Sequence, residues 1–275
     1  MIIDMHGHLG RINLHPRWDA DAKRLETLRQ EAGFDYLAVS SADAIMYDTR
    51  RGNREVVQAV RKNPHLLGYI VVNPLFPETL NDLASLAKHD RLIGVKLHPD
   101  YHGYDVRGRK SHDCLARILE ATDLVLCHCS CMPGTSFAGI GSLLEVAARY
   151  PQKKFIVAHM AGIFQNGAYP YFPNLSGVEQ VADSGLTNVW VDTAHYLVYV
   201  YPEVMEEALS YLPAERFVFG TDVPLQGSAQ MRYTRDAIRT PGIPRQGQDL
   251  ILFRNALTLL GAKAPRSRRR QALAR

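Results

Sequence analysis

The 275 residues are 46% hydrophobic and 22% charged, with 20 glycines and 15 prolines, a composition that builds a large folded core and excludes a disordered or low-complexity chain. The formal charge is +4, yet Lys263, Arg266, Arg268, Arg269, Arg270 and Arg275 place six positive charges after Gly261 with no acid among them, which leaves the rest of the chain at −2. A basic excess confined to a C-terminal tail, without interleaved aromatics on a folded face, does not describe a nucleic-acid surface.

The opening MIIDMHGH lacks the basic flank and apolar stretch of a leader peptide, and no apolar run is long enough to span a membrane. Cys127, Cys129 and Cys131 alternate around His128, too close together for mutual disulfides without strain. Reduced thiols and a cytoplasmic location are expected. Cys127 and Cys129 should turn away from the face that carries His128, toward the helix layer.

Runs rich in β-branched and apolar residues alternate with segments of helical spacing. In chain order the pattern predicts a strand at 1–5, a helix at 20–32, a strand at 36–40, a helix at 54–62, a strand at 67–72 and a helix at 78–88. It continues with strands at 92–97, 124–129, 154–159, 189–193 and 217–221, separated by helices at 113–121, 142–150, 176–184 and 202–209, and closes with a helix at 248–260. Eight such alternations make a (β/α)8 TIM barrel, because parallel strands need crossovers of helical length. The expected organisation is a single barrel domain over 1–262 followed by a basic tail, 263–275. A doubly wound sheet would need a phosphate-binding glycine turn after the first strand, and that turn reads HGHLG. The connections entering strands are terse, whereas those leaving them are long and carry the unusual residues, so chemistry is expected at the C-terminal ends of the strands.

His6 and His8 end the first strand one residue apart, so their side chains leave one face and can converge on an ion. Asp4, on the same face, could orient one of them. His128 ends the fifth strand, His159 the sixth, and Asp222 follows the eighth. In a barrel these five positions gather round one axis and offer nitrogen and oxygen donors of the kind that suits zinc, with a position left for water. Lys96 ends the fourth strand; a free ammonium that binds a substrate carboxylate is its favoured reading, against an interior lysine paired with a carboxylate. His98 shares its face. Of the loop histidines His15, His102, His112 and His195, the last is the best candidate for substrate contact. Asp100, Tyr101 and Tyr104, with Arg50, Arg51, Arg107 and Arg109, are candidates for the mouth of the site, where arginine would suit an acidic substrate.

The pieces DMHGH, GVKLHP, LVLCHCS, FIVAHMAG, NVWVDTA and RFVFGTDVP, in this order across nearly the whole chain, resemble the amidohydrolase superfamily and its amidohydrolase-2 branch of metal-dependent hydrolases and decarboxylases. The resemblance implies a (β/α)8 barrel and one divalent metal, usually zinc, held by His6, His8, His128 and Asp222, with His159 as acid or base beside it. It also adds a reading of Lys96 as a carbamylated bridge to a second metal.

The expected reaction is hydrolysis of an amide, ester or lactone in a small, carboxylated substrate by metal-activated water. Asp222 would ligate the metal and take the proton from water, while His159 would assist the polarised oxygen or the leaving group. The alternative is non-oxidative decarboxylation of an aromatic or enol acid, distinguished by release of carbon dioxide. A third reading, a metal-binding scaffold docked by its basic tail, would survive Asp222→Asn and fail on loss of 264–275. A small molecule is the expected partner, with neither nucleic acid nor membrane. The aromatic runs at 168–172 and 196–201 suit an interface or a pocket wall, and a homodimer is the expected assembly.

Overall fold

A computed structural model describes residues 1–12, 18–130, 137–162, 175–198, 200–201 and 203–265. His15, Cys131, the aromatic run at 168–172 and the tail beyond 265 lie outside the described residues. Eight parallel strands pair in sequence order: β1 (Ile3–Leu9), β2 (Tyr36–Ser41), β3 (Leu66–Val71), β4 (Leu92–Leu97), β5 (Leu124–Cys127), β6 (Lys154–Val157), β7 (Val189–Asp192) and β8 (Phe217–Val218). The curled sheet brings its last strand back to its first. Met5 N donates to Phe219 O at 2.8 Å, Asp222 N to His6 O at 2.8 Å and His8 N to Val223 O at 2.6 Å. Parallel strands alternating with helices and meeting at this seam are consistent with a (β/α)8 barrel.

The strands stand where the sequence pattern predicts, with two shifts. β1 runs past the expected boundary to Leu9, and β5 to β8 stop short of His128, His159 and Asp222, which therefore sit just beyond the ladder. The helices are α1 (Ala22–Ala32), α2 (Ala42–Met46), α3 (Thr49–Lys62), α4 (Ala84–Lys88, led in by a 3-10 turn), α5 (Pro99–His102), α6 (Arg109–Ala121), α7 (Ile140–Arg149), α8 (Ser176–Asp183), α9 (Val204–Tyr211), α10 (Ser228–Ile238), α11 (Arg245–Asp249) and α12 (Asn255–Leu260). Their ends follow local chemistry. Asp21 caps α1 by accepting from Arg24 N, and Gly33 closes it in the left-handed conformation, φ 75°. Three helices, α2, α5 and α10, occupy stretches expected to be loop. α2 forms because Ser41, at the end of β2, accepts from Ala44 N and starts a new turn at once. The expected terminal helix is instead α11 and α12 joined by a π-helical turn, Leu250–Arg254.

Two apolar layers hold the fold. The outward faces of the strands, among them Val39, Val95, Val125, Val157 and Val191, pack under the helices together with Cys127 and Cys129, as the alternation predicts. Burial raises the Cys127 thiol to about 12, so it behaves as an inert apolar side chain. Inside the barrel, Ile3, Met5, Leu67, Tyr69, Leu126 and Ile156 form a second layer, joined by Ala256, Leu259 and Leu260 of α12. Lys154, which opens β6, donates to Leu259 O at 3.0 Å, and Lys263 donates to Leu92 O at the start of β4 at 2.6 Å. These bonds fix α12 across the N-terminal end of the barrel. Lys263, the first residue of the expected tail, is thus docked against the fold. No helix among the described residues is long and apolar enough to cross a membrane.

β4 and β5 approach closely at Gly94, where a Cβ would lie 2.4 Å from Leu124 O. Gly94→Ala should lower stability by about 1–3 kcal/mol. Gly141→Ala in α7, where nothing lies within 4 Å of the new carbon, should leave stability unchanged or raise it by up to about 1 kcal/mol. Urea midpoints of the two variants check the contrast.

Candidate metal centre and cavity

β1 carries an irregularity between Asp4 and Gly7, where Met5 and His6 together oppose Ala38 of β2. Met5 stays in the inner core while His6 and His8 both reach Asp222. Asp222 Oδ1 lies 2.9 Å from His8 Nε2 and 3.6 Å from His6 Nε2. Asp4 does not touch either ring. It is buried in the seam, where it accepts from Thr221 N, Thr221 Oγ1 and His6 N, and so places the backbone of both partners. The residue that orients His6 is Asp192, at the end of β7, whose Oδ2 accepts from His6 Nδ1 at 2.8 Å. The same carboxylate accepts from His159 N at 2.8 Å and Ala194 N at 3.0 Å through Oδ1.

These bonds fix the imidazole tautomers. His159 Nδ1 donates to Ala194 O at 3.0 Å, so its Nε2 accepts from His128 Nδ1, also at 3.0 Å. His128 Nε2 then keeps a lone pair, 3.6 Å from Asp100 Oδ2. His6, bound through Nδ1, keeps its lone pair on Nε2. His8 Nδ1 meets Ser40 Oγ at 3.1 Å. Among the described residues two groups have donor atoms close enough to hold one ion: His6, His8 and Asp222, and His6, His159 and Asp192. The first fits a cation better. Asp192 is saturated by hydrogen bonds, whereas Asp222 Oδ1 is buried without one of good geometry and faces two imidazole nitrogens. His128 lies beside this group through His159 and is not part of it.

Lys96 is fully buried under the floor, with Nζ 2.9 Å from His6 Nε2. No carboxylate among the described residues pairs with it, so the interior ion pair weighed from the sequence does not form. A bound cation and the Lys96 ammonium would compete for one His6 lone pair. His98 stacks on His128 (centroids 3.9 Å apart, 14° between planes) and on Tyr101 (4.4 Å, 26°). His195 Nδ1 lies 3.6 Å from Asp222 Oδ2.

Above the floor opens a cavity of about 250 Å³. Its polar lining is His8, His98, His128, His159, His195 and Asp222, and its apolar lining includes Ile12, Trp18, Ile45, Met46 and Leu225. Tyr101 reaches it, but Tyr104 is buried in the outer core. The arginines expected at the mouth are elsewhere. Arg50 faces Asp82 at 3.6 Å, Arg51 faces Asp43 at 3.5 Å and Arg107 pairs with Asp105 at 3.0 Å, because α2 intervenes between β2 and α3 and carries Arg50 and Arg51 away from the axis. No Lys or Arg is among the described lining residues. The sequence reading also missed Asp192 and the α2 wall. Asp192 had a signal, an acid in the NVWVDTA run facing inward between valines that face the helices.

The backbone bends unusually here. Of the described non-glycine residues, five have positive φ: His159 (60°), Met160 (52°), Ala161 (61°), His195 (58°) and Asp222 (63°). Three are cavity residues, and such conformations persist only where the surroundings enforce them.

Burial, followed by the repulsion of neighbouring cationic groups, holds His6, His98 and His128 well below the usual imidazole range, and burial lowers His159 as well. Burial would raise Asp222, but the approach of His8 and the favourable field of His6, His8 and His159 outweigh it and hold the carboxyl well below its usual range. At neutral pH His6, His98, His128 and His159 are therefore uncharged beside the Asp222 carboxylate. Because the folded-state values of the imidazoles lie below the unfolded value of 6.5, the unfolded chain takes up protons first, and stability present at neutral pH is lost as pH falls below about 6.5. The buried carboxyls of Asp4, raised to about 7, and Asp192, also raised, act in the opposite sense, so the imidazole part is read by difference: from about pH 7.5 to about pH 5.5, with a chelator, the urea midpoint of the wild type should fall further, or rise less, than that of His98→Gln, and equal changes would contradict the assignment.

A family model described as amidohydrolase matches residues 3–262. Among solved structures, the 5-carboxyvanillate decarboxylase of Sphingomonas paucimobilis is similar with a TM-score of 0.70 at 15% identity, covering 94% of this chain and 98% of that one. A dihydroxybenzoic acid decarboxylase from Polaromonas sp. JS666, with bound manganese and the inhibitor 2-nitroresorcinol, gives 0.67 at 16% identity over 94% and 96%. A probable 2-pyrone-4,6-dicarboxylic acid hydrolase from Acinetobacter baumannii, with citric acid bound, gives 0.66 at 14% over 94% and 99%. None of the curated proteins compared with the chain matches it.

Proposed function

The chain belongs to the amidohydrolase-2 family of enzymes, and from that premise we propose that it is a metal-dependent decarboxylase of a small aromatic carboxylic acid. The observation that carries this reading is the pairing of the His6, His8 and Asp222 group with a cavity walled by apolar side chains and stacked rings. An aromatic ring fits between such walls while its carboxylate reaches the cation at the floor, and enclosure there strips water from the carboxylate, a cost that the loss of carbon dioxide relieves. Two of the three similar structures named above are decarboxylases and one is a hydrolase, which supports decarboxylation ahead of the hydrolysis expected first from the sequence. Hydrolysis, for which Asp222 would take the proton from a metal-activated water, stands as the second reading.

His6, His8 and Asp222 would hold the divalent cation, with His128 Nε2 the candidate fourth donor. Two imidazole nitrogens and a carboxylate oxygen suit zinc, the ion expected from the sequence, and also manganese, which the Polaromonas structure holds. When bound, the ion would supply positive charge to grip the substrate carboxylate and a neighbouring ring oxygen. Asp192 keeps the His6 ring turned so that Nε2 faces inward. His159, anchored through Nδ1 to Ala194 O, would take up a solvent proton at Nε2 as His128 Nδ1 lets go of that lone pair; when the ring–carboxylate bond breaks, its electron pair stays on the ring carbon, and that carbon takes the proton from Nε2 as carbon dioxide leaves. His98, stacked between His128 and Tyr101, would present a ring edge to the substrate, and His195 a polar edge at the rim. Lys96 would have to release His6 Nε2 when a cation binds there. The buried thiols Cys114, Cys127 and Cys129 support a reducing, cytoplasmic location.

Two variants and one product assay test the reading. With hydroxybenzoic acids as substrates and metal measured by elemental analysis, the wild type should release carbon dioxide. Asp222→Asn should lose both metal and turnover. His159→Asn should keep its metal and lose about 10²–10⁴-fold in kcat. A metal-loaded enzyme that cleaves lactones or esters and releases no carbon dioxide would move the assignment to hydrolysis.

A further inference from the structure

The cavity lining is not mixed at random but divided by the order of the strands. The apolar residues follow three neighbouring strands: Leu225 comes after β8, Ile12 and Trp18 after β1, and Ala42, Ile45 and Met46 after β2. The imidazoles and Tyr101 follow the opposite arc: His98 and Tyr101 after β4, His128 after β5, His159 after β6 and His195 after β7. Because the strands run in sequence order round the sheet and β8 meets β1, these arcs stand on opposite sides of the cavity. At the floor, a cation held by His6, His8 and Asp222 would take one anionic group. Beyond that group, the β4–β7 arc offers hydrogen-bond donors and acceptors to one edge of a bound ring, while the described lining residues of the β8–β1–β2 arc present apolar side chains and the Trp18 ring to the other.

We infer that the substrate is a monocarboxylic aromatic acid with a hydroxylated edge toward the imidazole arc and an uncharged, apolar substituent toward Ile45 and Met46. A second carboxylate at that edge would be desolvated against Ile45, Met46 and Leu225 with no cation among the described lining residues to receive it, which is costly for a full charge. This rests on the reading of the cavity as the substrate site of an aromatic-acid decarboxylase, but it concerns recognition, and recognition can be measured without turnover. The selecting element is α2, a five-residue helix that faces the cavity with Ile45 and the half-buried Met46.

The experiment uses the metal-loaded enzyme carrying Trp190→Phe, which leaves Trp18 as the single tryptophan, and follows its fluorescence on titration with two probes. One is a salicylate with a methyl group para to its hydroxyl, on the edge facing away from the imidazole arc; the other is 4-hydroxyisophthalate, with a second carboxylate in the methyl's place. The methyl compound should bind at least about tenfold more tightly, and Met46→Arg, at a half-buried position that accommodates a longer side chain, should narrow or reverse the preference. Equal or tighter binding of the dicarboxylate overturns the inference. Failure of both probes to change Trp18 emission at saturating concentrations also overturns it. Carbon dioxide assayed in parallel separates the two readings: the expected ranking without carbon dioxide keeps the recognition and removes the reaction, and carbon dioxide from both probes with the ranking reversed does the opposite.

Discussion

The site depends on the seam between the first and last strands. Asp4, buried and with its carboxyl raised by burial to about 7, takes three donors from the two segments it joins, and the exchange between Asp222 N and His6 O locks their relative height. From that constraint follow the convergence of His6, His8 and Asp222 and the need for an irregular β1, since strict alternation cannot keep Met5 in the barrel core and also aim both histidines at one carboxylate. The seam serves the fold and the chemistry at once, because closing the sheet and assembling the donor group are the same event.

Electrostatics then decide what the assembled residues can do. The imidazoles of His6, His98, His128, His159 and His195, the Lys96 amine and the carboxyls of Asp4, Asp192 and Asp222 share a largely dry volume, and burial weighs against charge on each. Where burial meets a specific partner the outcome differs: Asp222, surrounded by imidazoles, stays a carboxylate, while Asp192, spent on hydrogen bonds to the His6 ring and the backbone of His159 and Ala194, works as a fixed orienting group. The left-handed backbone at His159, His195 and Asp222 belongs to the same economy. Each of these residues leaves its strand by a turn that aims the side chain back over the axis, and the hydrogen bonds of the seam and of Asp192 hold those turns.

Much of this was legible in the sequence, because two simple periodicities carry it. Alternation along the strands placed the cysteines of β5 outward and the histidines inward, and the contrast between short and long connections located the cavity end. What was not legible depends on tertiary closure. Asp192 reads as one acid among many until β7 stands beside His6. The helix at Ala42–Met46 is too short to show a period, yet it displaces Arg50 and Arg51 from the mouth and replaces them with Ile45 and Met46, so that a local capping interaction at Ser41 changes the charge of the cavity. The relation between Lys96 and His6 is a contact across the barrel, which spacing along the chain does not encode.

The sequence separation within the seam has a further meaning for the order in which the molecule is built. Asp4 and Thr221 are 217 positions apart, and the helix that stops the far end of the barrel comes later still. A chain leaving the ribosome presents β1 first, with its two histidines, and β1 has no partner on one side until nearly all of the barrel has emerged. Bringing such distant segments together is among the slowest kinds of contact to form. The nascent chain can therefore fold much of its sheet and carry His6 and His8 while still lacking Asp222, so the group of two imidazoles and a carboxylate is completed only with the last steps of folding.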